Sequence, residues 1–523
     1  MRRALLALSC VLAIPAVAHA KTGFGDAGQD IEGHDDWHFD FGGYLRLRGE
    51  SLYNLDLDRG PTTSGEALFP VPLDDPDGQS LFEADMRLRT DLAVYAPGGF
   101  VALKLRADIL DNFALGSTPE GIPSATTTQR ALDTAIRIRR AYGEILTPIG
   151  LLAAGRMGQQ WGLGMVANGG DCPDCDSGDV ADRIAFITPI AGHIWAVAFD
   201  ITSSGPLAPR ASGFRPVDVT PTDDVRSVTF AMMHWLTDEA RQRRLRASRT
   251  EFEYGAYAAY RWQDGDIPAS YLPTSQPIEL TGAQVVPRGF RAFLGDVWLR
   301  LAGPGFHIEA EGAIGWAEIA QPSLVPGVLL RDSVSSLQWG VALQSEFLDA
   351  SGDFTFGLDA GAASGDSAPG FGAFPGAGDR APRPGDLDGP QANVPSDTTV
   401  DNFRFHPDYR IDRILFREII GTVTDAFYLR PHARLRIFDA PFGELTAHLF
   451  AVASFALESA STPGNDSPLG VEIDPSIVYR TRDGFLATLE YAALLPLSGL
   501  DNPALGMRAQ PAQLLRLRLQ YLF

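Results

Sequence analysis

Apolar and polar side chains alternate along most of this chain, in runs of about ten residues or more. That is the period of a strand with two unlike faces. The runs cover 39–53, 81–95, 99–111, 132–146, 150–163, 179–189, 192–203, 225–237 and 250–262. They continue over 289–302, 305–318, 333–348, 352–363, 426–438, 443–458, 470–480, 484–495 and 511–523, eighteen in all. Every second connection is short and carries turn chemistry. Examples are Ala96-Pro97-Gly98, Thr147-Pro148-Ile149-Gly150, Pro189-Ile190-Ala191-Gly192, Gly303-Pro304-Gly305, Asp349-Ala350-Ser351-Gly352, Asp439-Ala440-Pro441 and Thr481-Arg482-Asp483-Gly484. The connections between them are longer and rich in Gly, Pro, Ser and Asp. One stretch departs from the scheme: 238–249 is a longer basic turn with Arg241, Arg243, Arg244, Arg246 and Arg249. Long and short connections alternating over an even strand number predict one all-β, up-and-down antiparallel transmembrane barrel. Its short turns would be periplasmic and its long loops extracellular.

The ends agree with that compartment. Residues 1–20 read as a signal peptide: Arg2 and Arg3, an apolar run from Ala4 to Val17, then Ala18-His19-Ala20 as the cleavage site. Residues 21–36 would be a periplasmic linker and 37–523 the barrel. The last strand alternates Leu515, Leu517, Leu519 and Tyr521 with Arg516, Arg518 and Gln520 and ends on Phe523. It resembles the assembly signal of bacterial outer-membrane barrels, which implies the barrel-assembly machinery as a partner during biogenesis. Trp37, Trp161, Trp195, Trp235, Trp262 and Trp316 fall near strand ends, where interfacial girdles against lipid and lipopolysaccharide belong.

Composition narrows the function. With 43 Lys+Arg against 65 Asp+Glu the net charge is −22, which argues against nucleic acid as a partner. An aromatic content of 10% argues against disorder. Mean hydropathy of −0.03 excludes a helical membrane protein but not a barrel, whose alternating strands average out.

Register then assigns the lumen. Outward Leu45 and Leu47 put Arg46 and Arg48 inside. The same logic turns Arg87, Arg89, Lys104, Arg106, Arg137, Arg139, Arg434, Arg436, Arg516 and Arg518 inward. The opposite wall is acidic: Glu251, Glu253, Asp296, Glu309, Glu311, Glu346 and Asp359, with Arg261 and Arg300 among them. Two readings stay open. The arginines face solute, or Glu50, Glu83, Asp85, Asp91, Asp108 and Glu144 lock them into ion pairs. Side chains alone do not fill an eighteen-stranded barrel, so water or an inserted loop must occupy it.

Two loops stand out. The one after the fifth strand carries Cys172 and Cys175, which suit a local disulfide in an oxidising compartment. Its carboxylates Asp171, Asp174, Asp176 and Asp179 offer hard oxygen ligands for Ca²⁺ as an alternative role. The longest connection, 364–425, is Gly/Pro-rich and then dense in aromatic and charged residues. It folds inward as a constriction with Arg410, Arg413 and Arg417 near the pore axis, or caps the rim. No catalytic motif emerges among the nine histidines, and no cofactor is implied.

The segments Gly43-Tyr44-Leu45-Arg46-Leu47-Arg48, Arg140-Ala141-Tyr142-Gly143-Glu144, Gly155-Arg156-Met157 and Trp161-Gly162-Leu163-Gly164 resemble strands of porins of the alginate-export kind. As a whole the chain is similar to a porin-like outer-membrane family. The resemblance implies eighteen strands and adds Arg140 and Arg156 to the pore-lining set. The expectation is an outer-membrane porin passing small polar or anionic solutes. The alternatives are a structural or surface-interaction barrel with a loop-closed lumen, and an exporter of acidic exopolysaccharide.

Overall fold

The computed structural model describes residues 23–31, 35–74, 78–116, 136–208, 210, 213, 215–268, 280–349, 352–376 and 381–523. The signal-peptide reading of 1–20 lies outside them. The strands are β1 (His38–Tyr53), β2 (Ser80–Tyr95), β3 (Val101–Ala114), β4 (Ile136–Thr147), β5 (Gly150–Gly158), β6 (Val180–Ile190), β7 (His193–Ser203), β8 (Val225–His234) and β9 (Glu251–Gln263). They continue as β10 (Phe290–Gly303), β11 (Phe306–Ile319), β12 (Val334–Leu348), β13 (Phe354–Ala363), β14 (Ala426–Ala440), β15 (Gly443–Ala456), β16 (Pro468–Arg480), β17 (Phe485–Pro496) and β18 (Ala512–Leu522). Each pairs antiparallel with the next. β18 returns to β1 with Arg516 opposite Glu50 and Arg518 opposite Arg48, so the sheet closes with no free edge.

The short turns are set by local chemistry. β6 and β7 join through Ala191 and Gly192, both with positive φ (52° and 78°), the two-residue turn whose twist matches the strands. Three expectations need correction at strand ends. The 150–163 run leaves the sheet after Gly158, because Trp161–Gly164 turns inward as a loop. The 225–237 run stops at His234. The basic stretch after it is a helix, α1 (Asp238–Arg246). Thr237 Oγ1 caps it by accepting from the Ala240 amide at 3.2 Å, with acids in its first turn and arginines in its last.

Outward positions are apolar and exposed along the strands, as with Val197, Phe230, Val297, Ile314, Leu343, Ile473 and Leu517. Inward positions divide into two kinds. β1–β4 and β16–β18 carry charged side chains. On the strands between, buried alanines such as Ala153, Ala185, Ala196, Ala198, Ala231, Ala313, Ala342 and Ala363 alternate with charged residues such as Arg183, Asp200, Glu253, Asp296, Glu309 and Asp359. Small residues hold the wall back and leave room for inserted chain. What buries them is loop. Inward residues of β11–β18 and β1 form one apolar cluster with Phe403, Phe405, Tyr409, Ile411 and Phe416. Inward residues of β5–β10 form another with Phe24, Trp161 and Ala167. Much of the barrel's interior is therefore packed by its own connections.

Bulges adjust which residues enter that interior. Between β3 and β4, Arg106 pairs with Arg140 while Ala107 pairs with Ile138, so Arg139 is an extra residue. Both Arg139 and Arg140 consequently find interior partners, which strict alternation would forbid.

Candidate functional site

The 159–179 segment lines one side of the lumen. Trp161 donates from Nε1 to Asp296 of β10 at 2.9 Å. Glu311 of β11 accepts from the amides of Leu163 and Val166, at 2.5 and 3.3 Å. Gly162 has φ +48°, and a Cβ there would lie 2.5 Å from the Glu311 carboxylate, so this close approach requires glycine. Trp161 and Trp235, expected at a girdle, face the interior instead. Trp235 packs on Gly25 and takes Arg241 and Arg300 against its ring at 5.4 and 5.2 Å. Trp37 and Trp316 are exposed. Trp195 and Trp262 lie on the outward face beside Phe230 and Tyr260.

Beyond Asn168 the loop presents its acidic hexapeptide, Asp171 to Asp176, to the arginine wall. Cys172 and Cys175 are bonded, with their Cα atoms 5.1 Å apart. Asp171 takes Arg140 at 2.7 Å and Arg106. Asp174 takes Arg417 at 2.6 Å, Arg518 at 2.8 Å and Arg410 at 3.1 Å. Asp176 takes Arg410 at 2.8 Å, Arg48 at 2.9 Å and Arg46 at 3.0 Å. Backbone carbonyls complete the cradle: Arg87 donates to Cys175 O at 2.5 Å, Arg89 to Gly170 O at 2.6 Å, and Arg46 to Pro173 O at 3.2 Å. Burial pushes the Asp171 carboxyl up, but Arg140 and Arg106 outweigh it and hold the group at about 2. At Asp174 burial is likewise outweighed by Arg417, Arg518 and Arg410, which hold it well below the usual carboxylate range.

Strand carboxylates take most of the remaining donors. Arg89 is bidentate to Asp108 at 2.6 and 2.8 Å, Arg106 to Asp91 at 2.6 and 2.9 Å, and Arg516 reaches Glu50. Arg87 lies 2.7 Å from Asp111, and Arg139 reaches both Asp108 and Asp111. Lys104 bonds Asp30 of the N-terminal segment at 2.8 Å and Glu144 at 2.9 Å. Arg46, Arg87, Arg106, Arg140 and Arg516 are almost wholly buried, and none stands open to a wide channel.

The 402–424 segment closes the same side. Glu472 of β16 accepts the amides of Arg413, Ile414 and Leu415 at 2.8, 2.8 and 3.0 Å, anchoring the helical turn Leu415–Ile419 by its N-terminal amides. Arg413 bonds Glu490 at 3.2 Å, and Glu418 takes Arg516 at 3.2 Å. The two loops are joined to each other. Asp408 accepts from the amides of Asp176 and Ser177 at 2.9 and 3.0 Å, and His406 N donates to Met165 O at 2.7 Å. Arg410 and Arg417 share Asp174 and Arg413 reaches Glu490, so each of the three is engaged by a carboxylate.

The acidic wall is compensated in part. Glu253 is bonded by Arg241 of α1 at 2.8 Å, Glu251 by Arg244 at 2.7 Å, and Glu309 by Arg300 at 3.1 Å. Among the described residues, Asp296 and Glu311 are held without a cation, by Trp161 and by the loop amides, and the Glu346 side chain is 53% exposed, 3.9 Å from His432. Arg137 reaches Asp111 at 3.2 Å, Arg436 reaches Asp353 at 2.5 Å, and Arg434 donates to Thr355 at 3.2 Å.

Two sequence expectations fail on geometry. Arg156 shares its face with the outward Leu152 and pairs with Asp182 at 2.8 Å on the outside of the barrel, so it lines no pore. Of the aspartates raised as Ca²⁺ ligands, Asp171, Asp174 and Asp176 have guanidinium partners instead, while Asp179 accepts from the Asn168 amide at 3.3 Å and lies 3.6 Å from His406. Among the described residues, Asp171, Asp174, Asp176 and Asp179 form no three-carboxylate group at ligating distance. The inward insertion of both loops left one usable signal in the sequence: alanine at inward strand positions where a water-filled lumen would carry polar side chains.

No protein-family model matches the chain, and no curated protein matches it. Solved barrels do align over most of its length. OccK9 (OpdG) of Pseudomonas aeruginosa is 11% identical, over 92% of this chain and 98% of that one, with a TM-score of 0.46. OpdK of Pseudomonas aeruginosa, solved with vanillate, is 10% identical over 92% and 98%, at 0.45. OmpT, an outer membrane protein of Vibrio cholerae, is 10% identical over 94% and 100%, at 0.34. Identities and scores this low leave the functional reading to the barrel's own geometry.

Proposed function

We propose that the chain is an outer-membrane channel whose lumen is narrowed by its own loops, so that only small solutes cross. The observation that carries this reading is the closed eighteen-strand sheet with apolar side chains standing exposed on its outer face. Such a face belongs in lipid, and closure satisfies every strand's backbone there. On this reading the short turns are periplasmic and the long loops extracellular.

The arginine array then serves a different purpose from the one its sequence suggests. Its charges are spent on Asp171, Asp174, Asp176 and the strand carboxylates, so it acts as the seat of a latch. An exporter of acidic polysaccharide would need that array free, and hence the acidic loop gone from it. A loop-closed structural barrel is the second reading, favoured by the two apolar clusters inside the wall. Planar-bilayer recording of the purified chain separates the two. Discrete small conductance steps support the channel; a silent bilayer with correctly folded protein supports the closed barrel.

A further inference from the structure

The lumen is not filled evenly. At its long-loop end, a basin of about 920 Å³ opens among Asp266 and Arg288, the stretch from Pro322 to Leu330, and residues 389–394 and 400–404. Its lining is mainly apolar, with Val325, Val328, Leu330, Pro390 and Val394, and Leu324 at its rim is exposed. Two cations face it. Arg288 is neutralised by Asp266. Arg404 donates to Ala373 O at 3.0 Å and lies 5.7 Å from the Phe374 ring centroid. Among the described residues Arg404 has no carboxylate partner within 4 Å.

A second cavity of about 470 Å³ lies one step deeper, between the 159–179 loop and the inner faces of β9–β12. Phe290 lines both cavities. Down the inner face of β9, Gln263 lines the first, while Arg261, Ala259 and Tyr257 line the second. Arg261 is exposed to that cavity and, among the described residues, also lacks a carboxylate partner. It stands apart from the paired arginines of the opposite wall.

From this we infer that the two cavities form a relay for a small amphipathic monoanion, a molecule with an apolar body and a single anionic head. The lining supplies burial for the body, and each cavity offers one uncompensated guanidinium for the head. One uncompensated cation per cavity, with the Asp179 carboxylate also lining the second, disfavours dianions. Neutral sugars lack the head that Arg404 and Arg261 would hold. The inference rests on the channel reading for transport but not for binding, and that makes the two separable.

The test uses the full chain in proteoliposomes, with hexanoate as probe and succinate and glucose as comparisons. Equilibrium dialysis should show saturable hexanoate binding. That binding should weaken about tenfold in Arg261→Gln or Arg404→Gln, the loss expected for one charge-assisted contact. Arg156→Gln, on the outer face, is the control and should bind as wild type does. Absent saturable binding, equal binding of succinate or glucose, or wild-type binding in both lumen variants would each overturn the relay. Conductance without hexanoate binding removes the relay and keeps the channel. Binding without conductance keeps the site and removes the channel.

Discussion

Replacing Asp174 by Asn strikes the latch at its most crowded point. The carboxylate serves Arg417 at 2.6 Å, Arg518 at 2.8 Å and Arg410 at 3.1 Å. Removing one partner of a buried ion pair costs about 3–5 kcal/mol, chiefly because the other charge is left uncompensated. Here part of the loss is absorbed, since Asp176 remains 2.8 Å from Arg410. Arg417 keeps Glu418 at 3.2 Å, but Arg518 falls back on Glu490 at 3.8 Å. A local cost of about 2–3 kcal/mol follows, raising the open population of the loop by roughly 30- to 150-fold. Amide hydrogen exchange over residues 169–178 reads this directly, because the penalty falls on local opening while the barrel's strand ladders stay intact. Protection of those amides should drop by about 2–3 kcal/mol while β10–β12 are unchanged. Unaltered protection of the loop in a folded Asp174→Asn barrel would refute the latch.

The other expectations concern pH, lipid and packing. Asp171 is held at about 2, below its ordinary 3.8, so its contribution is complete above 3.8 and is lost as pH falls through 2. Loop exchange should therefore accelerate below pH 4, and less so in Asp171→Asn, where there is no charge to lose. Asp425, in the loop before β14, is raised by burial to about 7. It stabilises the fold below 3.8 and loses that effect as pH rises through 7, so thermal melting should fall between pH 5 and 8 in wild type and stay flat in Asp425→Asn. Val297→Arg, at mid-strand on the outer face, should cost about 2–4 kcal/mol in bilayer-reconstituted denaturant titrations. A negligible cost would contradict the lipid-facing assignment. Phe405→Ala, inside the apolar cluster, should remove about 3–5 kcal/mol from the plug, read as lost exchange protection across 402–424.

Strand number and register were legible because period-two alternation and turn chemistry act locally. Residues such as Val197 and Ala198 declare opposite faces without any tertiary information. The interior was only half legible. Arg46 and Arg516 were placed inside by parity, but their partners Asp176 and Glu418 come from loops distant in sequence, whose docking no local pattern reports. Arg139 and Arg140 both have interior partners only through a bulge. Arg156 looked like its neighbours in composition, yet parity with Leu152 sends it outward. Trp161 sits where a girdle residue would, and only the space left by Ala231 and its neighbours, with an acceptor at Asp296, draws it inside.

The most direct measurement is single-channel recording in a salt gradient, comparing wild type with the Asp171→Asn, Asp174→Asn, Asp176→Asn triple variant. With its arginines compensated, wild type should conduct weakly and with little ion preference. The variant, its basic wall uncovered, should conduct several-fold more and shift its reversal potential toward anions. A wild-type channel already wide and strongly anion-selective, unchanged by the three substitutions, would contradict the account.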